Sequence, residues 1–240
     1  MKIKILSYNV NKSRSWKFVD DTSDKIKKII IESNADIVFL QEVVGENSNR
    51  NISKPHYEEL ADEIWTEFAY GKNAVYEKGH HGNVILSKFP LVKWEQENLS
   101  TNRFEQRGLL YAKIEPQNSA KKIPIHLYCL HLDLLFKGRK QQIERIIERI
   151  KSEVGDDAFI IAGDFNDWDH RIGNMIENAL NVKDCSAIIN GEYLKTFPSF
   201  YPSLKLDRVY IKNGITLSAA TMKYTYSDHL PLLCEVSIES

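Results

Sequence analysis

The segment Thr225-Tyr-Ser-Asp228-His229-Leu-Pro231-Leu232 carries an Asp-His pair just before an apolar run, Leu230 to Val236, that predicts a final strand. Three more apolar runs end in polar residues: Ile3-Lys-Ile-Leu-Ser-Tyr-Asn9, Ile37-Val-Phe-Leu-Gln-Glu42, and Phe159-Ile-Ile-Ala-Gly-Asp-Phe-Asn166. A carboxylate is costly inside a protein and belongs at the edge or mouth of a sheet. We therefore expect the four strand ends to converge on one site, with the oxygen-rich ligands that a hard metal ion prefers.

Apolar runs predict eight strands, at residues 3–9, 36–42, 83–87, 109–114, 123–132, 158–162, 206–211 and 232–238. Helical spacing of apolar residues predicts helices at 24–33, 57–68 and 137–154, and Gly155 is suited to end the last one. Successive strands in the centre of the chain, with helices on either side, predict an α/β (α+β) protein of two packed sheets flanked by helices. No linker or repeat divides the sequence, so residues 1–240 are expected to form a single domain.

Composition excludes several classes of protein. The 240 residues are 42% hydrophobic, which excludes a disordered chain, and the formal net charge of −1 provides no general attraction to nucleic acid. Three cysteines fit no zinc motif, Cys129 and Cys234 are expected to be buried thiols because they lie in apolar runs, and the odd count suits a reducing compartment. Residues 1–10 lack a signal-peptide core and no transmembrane segment is evident, so the sequence predicts a cytoplasmic monomer.

Seven motifs occur in a fixed order along nearly the whole chain, and together they resemble the endonuclease/exonuclease/phosphatase superfamily. They are Ser7-Tyr-Asn9-Val, Leu40-Gln-Glu42-Val, Gly82-Asn83-Val-Ile-Leu-Ser-Lys, Cys129-Leu-His131-Leu-Asp133, Ala162-Gly-Asp164-Phe-Asn166, Leu206-Asp207-Arg-Val-Tyr210 and Ser227-Asp228-His229-Leu-Pro231. Two further segments, His80-His-Gly-Asn83 and Phe104-Glu-Gln-Arg107-Gly108, resemble a small bacterial branch of it. The resemblance implies a four-layer α/β/β/α sandwich and a metal-dependent phosphoesterase.

The resemblance also implies a metal site. By itself, Glu42 is a carboxylate at a strand end, where a solvated surface position is the simpler interpretation. Within the motif set it becomes the anchor of a Mg²⁺ ion, with Mn²⁺ as an alternative, and Asn9 and Asp228 complete the protein ligands directly or through water.

Asp164 and Asn166 stand two residues apart, so in an extended segment they point to the same side. By resemblance, Asp164 orients and deprotonates the attacking water, and Asn166 holds a phosphate oxygen. His229 would supply a charged donor to the phosphate, with Asp207 fixing its ring. The alternative for Asp207 is a salt bridge with Arg208.

His131 is implied to be a second phosphate donor or a leaving-group acid. Secreted deoxyribonucleases of the superfamily support this histidine with a glutamate that the present chain replaces by Gly79-His-His-Gly82. The role of phosphate donor is therefore favoured over that of acid. Arg107 is predicted either to bind phosphate bidentately or to pair with Glu105, and Asn11 and Asn83 are predicted to line the substrate pocket.

The predicted function is hydrolysis of a phosphate ester by in-line attack of water, and a phosphodiester is the favoured class of ester. The substrate stays open between nucleic acid, a phospholipid or inositol-phosphate head group and a small molecule, and a binding module without catalysis is a further alternative. A phospholipid substrate would favour exposed apolar loops, for which Phe197, Phe200 and Tyr201 are candidates unless they are packed. Trp168 could stack on a ring, but we expect it to be packed.

Overall fold

The computed structural model describes residues 1–11, 23–47, 58, 65, 67–76, 79–102, 105–116 and 123–238. The helices are α1 (Ser23–Ser33), α2 (Phe136–Glu153), α3 (Arg171–Leu180) and α4 (Cys185–Asn190). None of these helices is long and apolar enough to cross a bilayer. The strands are β1 (Lys2–Asn9), β2 (Ile37–Asn47), β3 (Glu67–Tyr76), β4 (Gly79–Ser87), β5 (Leu91–Asn98), β6 (Gly108–Ile114), β7 (Ile125–His131), β8 (Ala158–Asp164), β9 (Asp207–Lys212), β10 (Gly214–Thr221) and β11 (Leu232–Ile238).

The strands form two mixed sheets. The first has the order β10-β11-β1-β2-β4-β3, and β1 and β2 are its parallel pair. The second has the order β5-β6-β7-β8-β9, and β7 and β8 are its parallel pair. Parallel neighbours need a crossover connection, and α1 and α2 lie in the two crossovers. Each parallel pair therefore ends at one edge of its sheet.

Three clusters of buried apolar side chains separate four layers. Because neighbouring residues of a strand face opposite ways, Phe39 of β2 packs between the sheets while Leu40 packs with Ile29 of α1. In the second sheet, Ile160 joins the central cluster, and Ile161 packs with α2 and α3. This arrangement confirms the predicted two mixed sheets flanked by helices, and it explains why the central strands are apolar on both faces.

The predicted strands all overlap strands of the structure, and the helices predicted at 24–33 and 137–154 are confirmed as α1 and α2. The helix predicted at 57–68 is confirmed at Glu58 but wrong at Trp65, which is not helical, and at Glu67 and Phe68, which begin β3. Its residues 57, 59–64 and 66 lie outside the described residues. Strands β3, β5 and β10 and the short helices α3 and α4 are not predicted. All three strands lie at sheet edges, where one face is exposed and no continuous apolar run is required.

The glycine before Asp164 is required by close packing of β7 on β8. Gly163 has φ of +147°, and a Cβ atom at this position would overlap the carbonyl oxygen of Leu130. We expect Gly163→Ala to lower the free energy of unfolding by at least about 2 kcal/mol, because both strain and overpacking oppose it. Gly155→Ala is the matched control, since Gly155 has φ of +57° with no atom within 4 Å of a Cβ in the described structure. Denaturant unfolding that gave equal losses for the two variants would contradict this account.

Candidate active site

Three candidate residues lie side by side across the second sheet. The register of β7, β8 and β9 pairs His131 with Asp164, and Asp164 with Asp207. Each residue stands at the end of its strand where the parallel pair terminates, and all three are almost completely buried. The sheet therefore brings an imidazole and two carboxylates into one row.

The first sheet contributes Asn9 and Glu42 from the ends of its own parallel pair. Asn9 is buried at the end of β1, and its Nδ2 donates a hydrogen bond of 3.0 Å to Asp164 Oδ2 across the two sheets. The register of β2 shifts between Leu40 and Val43, and Glu42 has φ of +59° within this bulge. The bulge aims Glu42 at the site, since its Oε1 lies 4.0 Å from His131 Nδ1.

Asp164 is the central carboxylate of the cluster. Its Oδ2 also lies 3.5 Å from His131 Nε2 and 3.6 Å from His229 Nε2. Burial raises the pKa of Asp164 to about 6, and the field of Asp207 adds to the rise, while the His229 imidazole and two hydrogen bonds oppose it. The carboxylate is therefore a stronger base than one in water.

His229 and Asp207 form a close buried pair, with His229 Nδ1 2.7 Å from Asp207 Oδ2. Burial alone would lower the pKa of His229, but the carboxylates of Asp207 and Asp164 outweigh burial and raise this pKa to about 10. The ring is therefore an imidazolium at neutral pH. Arg208 does not compete for Asp207, because its fully buried guanidinium pairs with Asp167 at 3.2 Å.

His131 has an arginine beside it. Arg107 Nη1 lies 3.2 Å from His131 Nδ1, and Arg107 Nη2 donates to Glu105 Oε1 at 2.6 Å. A guanidinium can only donate, so Nδ1 of His131 is the acceptor and its Nε2 carries the proton that faces Asp164. The predicted Arg107–Glu105 ion pair is present, and a bidentate phosphate contact by Arg107 would require that pair to open.

The asparagines predicted in the site differ in their surroundings. The Asn11 backbone N–H donates to Asn9 Oδ1 at 3.0 Å, so Asn11 lies at the mouth beside β1. Asn166 has φ of 48° and turns the chain after β8; its backbone N–H donates to Asp164, and its Nδ2 donates to Leu132 O. Among the described residues, Leu132 O alone accepts from the Asn166 side-chain amide, so its second N–H is available to a ligand.

Asn83 is the exception among the predicted substrate-binding residues. It is fully buried, and its Nδ2 donates to the carbonyl groups of Gly108 and Cys129 at 3.0 and 3.3 Å. Its Oδ1 accepts a hydrogen bond from Asn73. These bonds link the two sheets and give Asn83 a structural role, and its contact with substrate stays a prediction.

Two groups of side chains could hold a cation. Asp164, Asp207 and His229 offer ligand atoms within 4.8 Å of one another, but the carboxylates of Asp207 and Asp164 raise the pKa of His229 to about 10, so at neutral pH both of its ring nitrogens carry protons and neither offers a lone pair to a cation. Asp228 is the better partner for a cation, because burial raises its pKa and the negative charge of Glu42 raises it further, against the field of His229. A divalent cation between Glu42 and Asp228 would relieve this repulsion, and carboxylate and amide oxygens suit Mg²⁺.

The sequence profile of the Endonuclease/Exonuclease/phosphatase family matches residues 6–229. The chain belongs to the endonuclease/exonuclease/phosphatase family. Family members are hydrolases that act on phosphate esters, and the candidate active site lies at the edge where the parallel strands of both sheets end.

Known proteins agree with this assignment. The chain is 34% identical over 250 residues to YbhP of Escherichia coli K12, described as uncharacterized, covering 98% of this chain and 96% of YbhP. An endonuclease/exonuclease/phosphatase from Beutenbergia cavernae has a similar structure with a TM-score of 0.85, 16% identity, and coverage of 100% of this chain and 72% of that one. D. rerio TDP2 complexed with single strand DNA product has a TM-score of 0.73 at 19% identity, with coverage of 98% and 99%. At these identities, the two structures show a shared fold.

Sequence reasoning missed the buried Asp167–Arg208 pair, which supports the loop that carries Asn166. Asp167 accepts hydrogen bonds from the backbone N–H groups of Ile172 and Gly173, which begin α3, and Arg208 also donates to its carbonyl oxygen. A carboxylate three residues after Asp164 was the available signal, because an Asp ahead of a helix is a common cap. Asp167 fixes the loop that carries Asn166.

We predict that Asp207 and His229 act as one unit in the family's hydrolytic chemistry. The losses of kcat for Asp207→Asn and His229→Ala should be strongly non-additive, so the double variant should be little worse than His229→Ala alone. The imidazolium loses its proton as pH rises through its raised pKa, and activity should fall there. Asp207→Asn removes a charge that raises this pKa, so its falling limb should move to lower pH. The measurement is kcat against pH on one phosphodiester. Fully multiplicative losses with an unmoved limb would contradict the prediction.

Proposed function

We propose that this protein is a divalent-metal-dependent phosphoesterase, with Mg²⁺ as the metal and a phosphodiester as the substrate. The observation that carries the proposal is the position of the Asp164 carboxylate between Nε2 of His131 and Nε2 of His229, at 3.5 and 3.6 Å. Membership of a family that hydrolyses phosphate esters supports it. The arrangement offers a base and two N–H donors around one point, as hydrolysis of a phosphate ester requires.

Asp164 is the proposed general base. Its raised pKa lets it accept a proton from a water molecule as that water attacks phosphorus in line with the leaving group. Negative charge then grows on the phosphate oxygens, and the imidazolium of His229 donates to one of them while Asp207 holds the ring. Water attacks directly, so no covalent intermediate with the enzyme is needed.

The remaining site residues bind the phosphate or hold the metal in the proposed mechanism. His131 donates through its Nε2–H, because Arg107 donates to its other ring nitrogen. Asn166 contributes the amide N–H that Leu132 does not use. Glu42, Asp228 and Asn9 would hold the metal, and Asn11 would border it through its bond to Asn9. A bound Mg²⁺ would supply positive charge that polarises the phosphate and offsets the buried carboxylates.

A substrate panel tests the proposal. Bis-p-nitrophenyl phosphate, plasmid DNA, RNA, phospholipids and inositol phosphates should be offered with Mg²⁺, with Mn²⁺ and with chelator. We expect metal-dependent release of product from at least one substrate and none with chelator. Hydrolysis of nothing in the panel would favour a binding module, and hydrolysis that chelator leaves unchanged would refute the metal dependence.

A nuclease is the second candidate, because the similar structure of D. rerio TDP2 contains a single strand DNA product. That likeness concerns the fold alone. The formal net charge of −1 gives this chain no general attraction to a polyanion. Plasmid DNA and RNA in the panel separate the two candidates.

We predict that Glu42→Gln abolishes metal-dependent hydrolysis without unfolding the protein. Losing one of two neighbouring carboxylates relieves repulsion with Asp228, so the melting temperature without metal should hold or rise. Mg²⁺ should raise the melting temperature of the wild-type protein and not that of the variant. Glu235→Gln, in β11 at an exposed pair with Lys2, is the control that should respond to Mg²⁺ like the wild type. Full turnover of Glu42→Gln at limiting Mg²⁺ would show that Glu42 is not the metal anchor.

We predict that Asp164→Asn lowers kcat by at least about a hundredfold, which is the effect of losing a general base. The amide cannot accept the proton of water, but it keeps the shape of the site, so KM should change little. Steady-state kinetics on a soluble phosphodiester measure both constants. An unchanged kcat with a raised KM would instead make Asp164 a binding residue.

A further inference from the structure

Large apolar side chains are exposed on three loops beside the candidate active site. Each loop adjoins a strand end that carries a site residue, because β7 ends at His131, β8 ends at Asp164 and β9 begins at Asp207. We define the apolar rim as five side chains on these loops: Leu134 (53% exposed), Leu135 (69%), Trp168 (48%), Phe200 (58%) and Tyr201 (75%). The expectation that Trp168 is packed holds for part of the ring: the Arg139 guanidinium lies 4.5 Å from its centroid, and about half of the side chain is open to solvent.

The two leucines are held outward by buried polar groups. The N–H of Leu134 donates to Glu105 Oε1 at 3.1 Å, and the N–H of Leu135 donates to Asp133 Oδ1 at 2.8 Å. The buried Arg139 donates to the carbonyl group of Leu134. The backbone of this loop is thus fixed while two apolar side chains project into solvent, which is costly unless they contact something.

The second apolar pair lies on a closed turn. The N–H groups of Ser203 and Leu204 donate to the carbonyl oxygen of Phe197 at 2.9 and 2.8 Å, and Phe200 and Tyr201 lie at the outer end of the turn. Phe197 itself packs on the His229 ring, with centroids 5.0 Å apart. The turn is therefore anchored on the active site by one aromatic ring and exposes two others.

A cavity of about 590 Å³ opens between the same turn and the segment before His229. Its walls include apolar residues such as Leu194 and Leu230, together with Lys195 and Lys223, whose residues are exposed. The lining also contains Glu192, which pairs with Lys205 at 3.0 Å, so the cavity combines an apolar lining with two lysines and one carboxylate that already has a partner. This combination suits an anionic group attached to an apolar body.

We propose that the apolar rim docks on a phospholipid bilayer, so that the active site acts on phosphate esters of membrane lipids. This inference rests on the proposed phosphoesterase function. Aliphatic Leu134 and Leu135 cannot stack on bases, whereas leucines beside Trp and Tyr are the side chains that insert into a lipid interface. Lys195 and Lys223 line the cavity beside the turn that carries Phe200 and Tyr201, where they attract anionic head groups. Because the formal net charge is −1, attachment depends on this local surface.

Vesicle sedimentation tests the proposal with the full chain. The vesicles contain equal parts of phosphatidylcholine and phosphatidylglycerol, and the variant is Leu134→Ser with Leu135→Ser. We expect at least about a tenfold loss of vesicle binding, because two leucines no longer enter the apolar layer. The control is Ile215→Ser with Leu217→Ser on β10, where the side chains are 54% and 40% exposed away from the rim, and it should bind as the wild type does. Equal binding by the rim variant and the wild type would overturn the proposal.

A second arm separates charge from apolar contact. Lys195→Gln with Lys223→Gln should lower binding to the phosphatidylglycerol vesicles by about fivefold for each lysine. Binding to vesicles of phosphatidylcholine alone should stay as in the wild type. Unchanged binding to the anionic vesicles would overturn the assignment of the cavity to lipid head groups.

Two comparisons distinguish failure of docking from failure of the proposed function. If the wild type hydrolyses bis-p-nitrophenyl phosphate with Mg²⁺ but does not sediment with vesicles, docking is wrong and the phosphoesterase stands. If it binds vesicles but hydrolyses no phosphate ester, docking stands and the phosphoesterase is wrong.

If the Leu134→Ser, Leu135→Ser variant loses affinity for a single-stranded oligonucleotide and keeps vesicle binding, the rim contacts nucleic acid and the proposal is overturned.

Discussion

The face-to-face packing of two mixed sheets is the constraint on which the rest of the structure depends. Each sheet contains one parallel pair, and parallel strands bring their polar ends to a single edge. The central apolar cluster sets the two edges against each other, and the hydrogen bond from Asn9 to Asp164 joins them directly at 3.0 Å. Glu42 and His229 come from the part of the chain that forms the first sheet. Without this packing they would not reach His131, Asp164 and Asp207 on the second sheet.

Burying several carboxylates together determines the electrostatics of the site. Hydrogen bonds and nearby imidazoles offset the free-energy cost of burying the Asp164 carboxylate. The charged ring of His229 offsets the same cost for Asp207. Asp228 is held next to Glu42, and its raised pKa reflects a place where a cation would be favourable. The same repulsion that costs stability therefore creates the basic carboxylate, the imidazolium and the pair of neighbouring carboxylates on which the proposed function depends.

The surface around the cleft differs from the interior, because its loops expose large apolar side chains to solvent. Net charge and composition describe the chain as a whole, and they give no sign that five large apolar side chains surround the site. Exposure of Leu134 and Leu135 depends on the bonds that Glu105, Asp133 and Arg139 make to their loop. A substrate preference at such a surface depends on loop geometry, and the overall composition does not show which side chains the loops expose.

The sequence by itself determined the central strands, helices α1 and α2, the layered fold and the set of polar strand ends, because apolar periodicity and motif order are local properties of the chain. Only the tertiary structure decided that Arg107 lies against His131, that Arg208 pairs with Asp167 and that the Asn83 side chain bonds between the sheets. It also placed Glu42 on a bulge with φ of +59°. Each of these depends on contacts between residues distant in sequence, and local pattern does not record which distant groups satisfy a buried charge or amide.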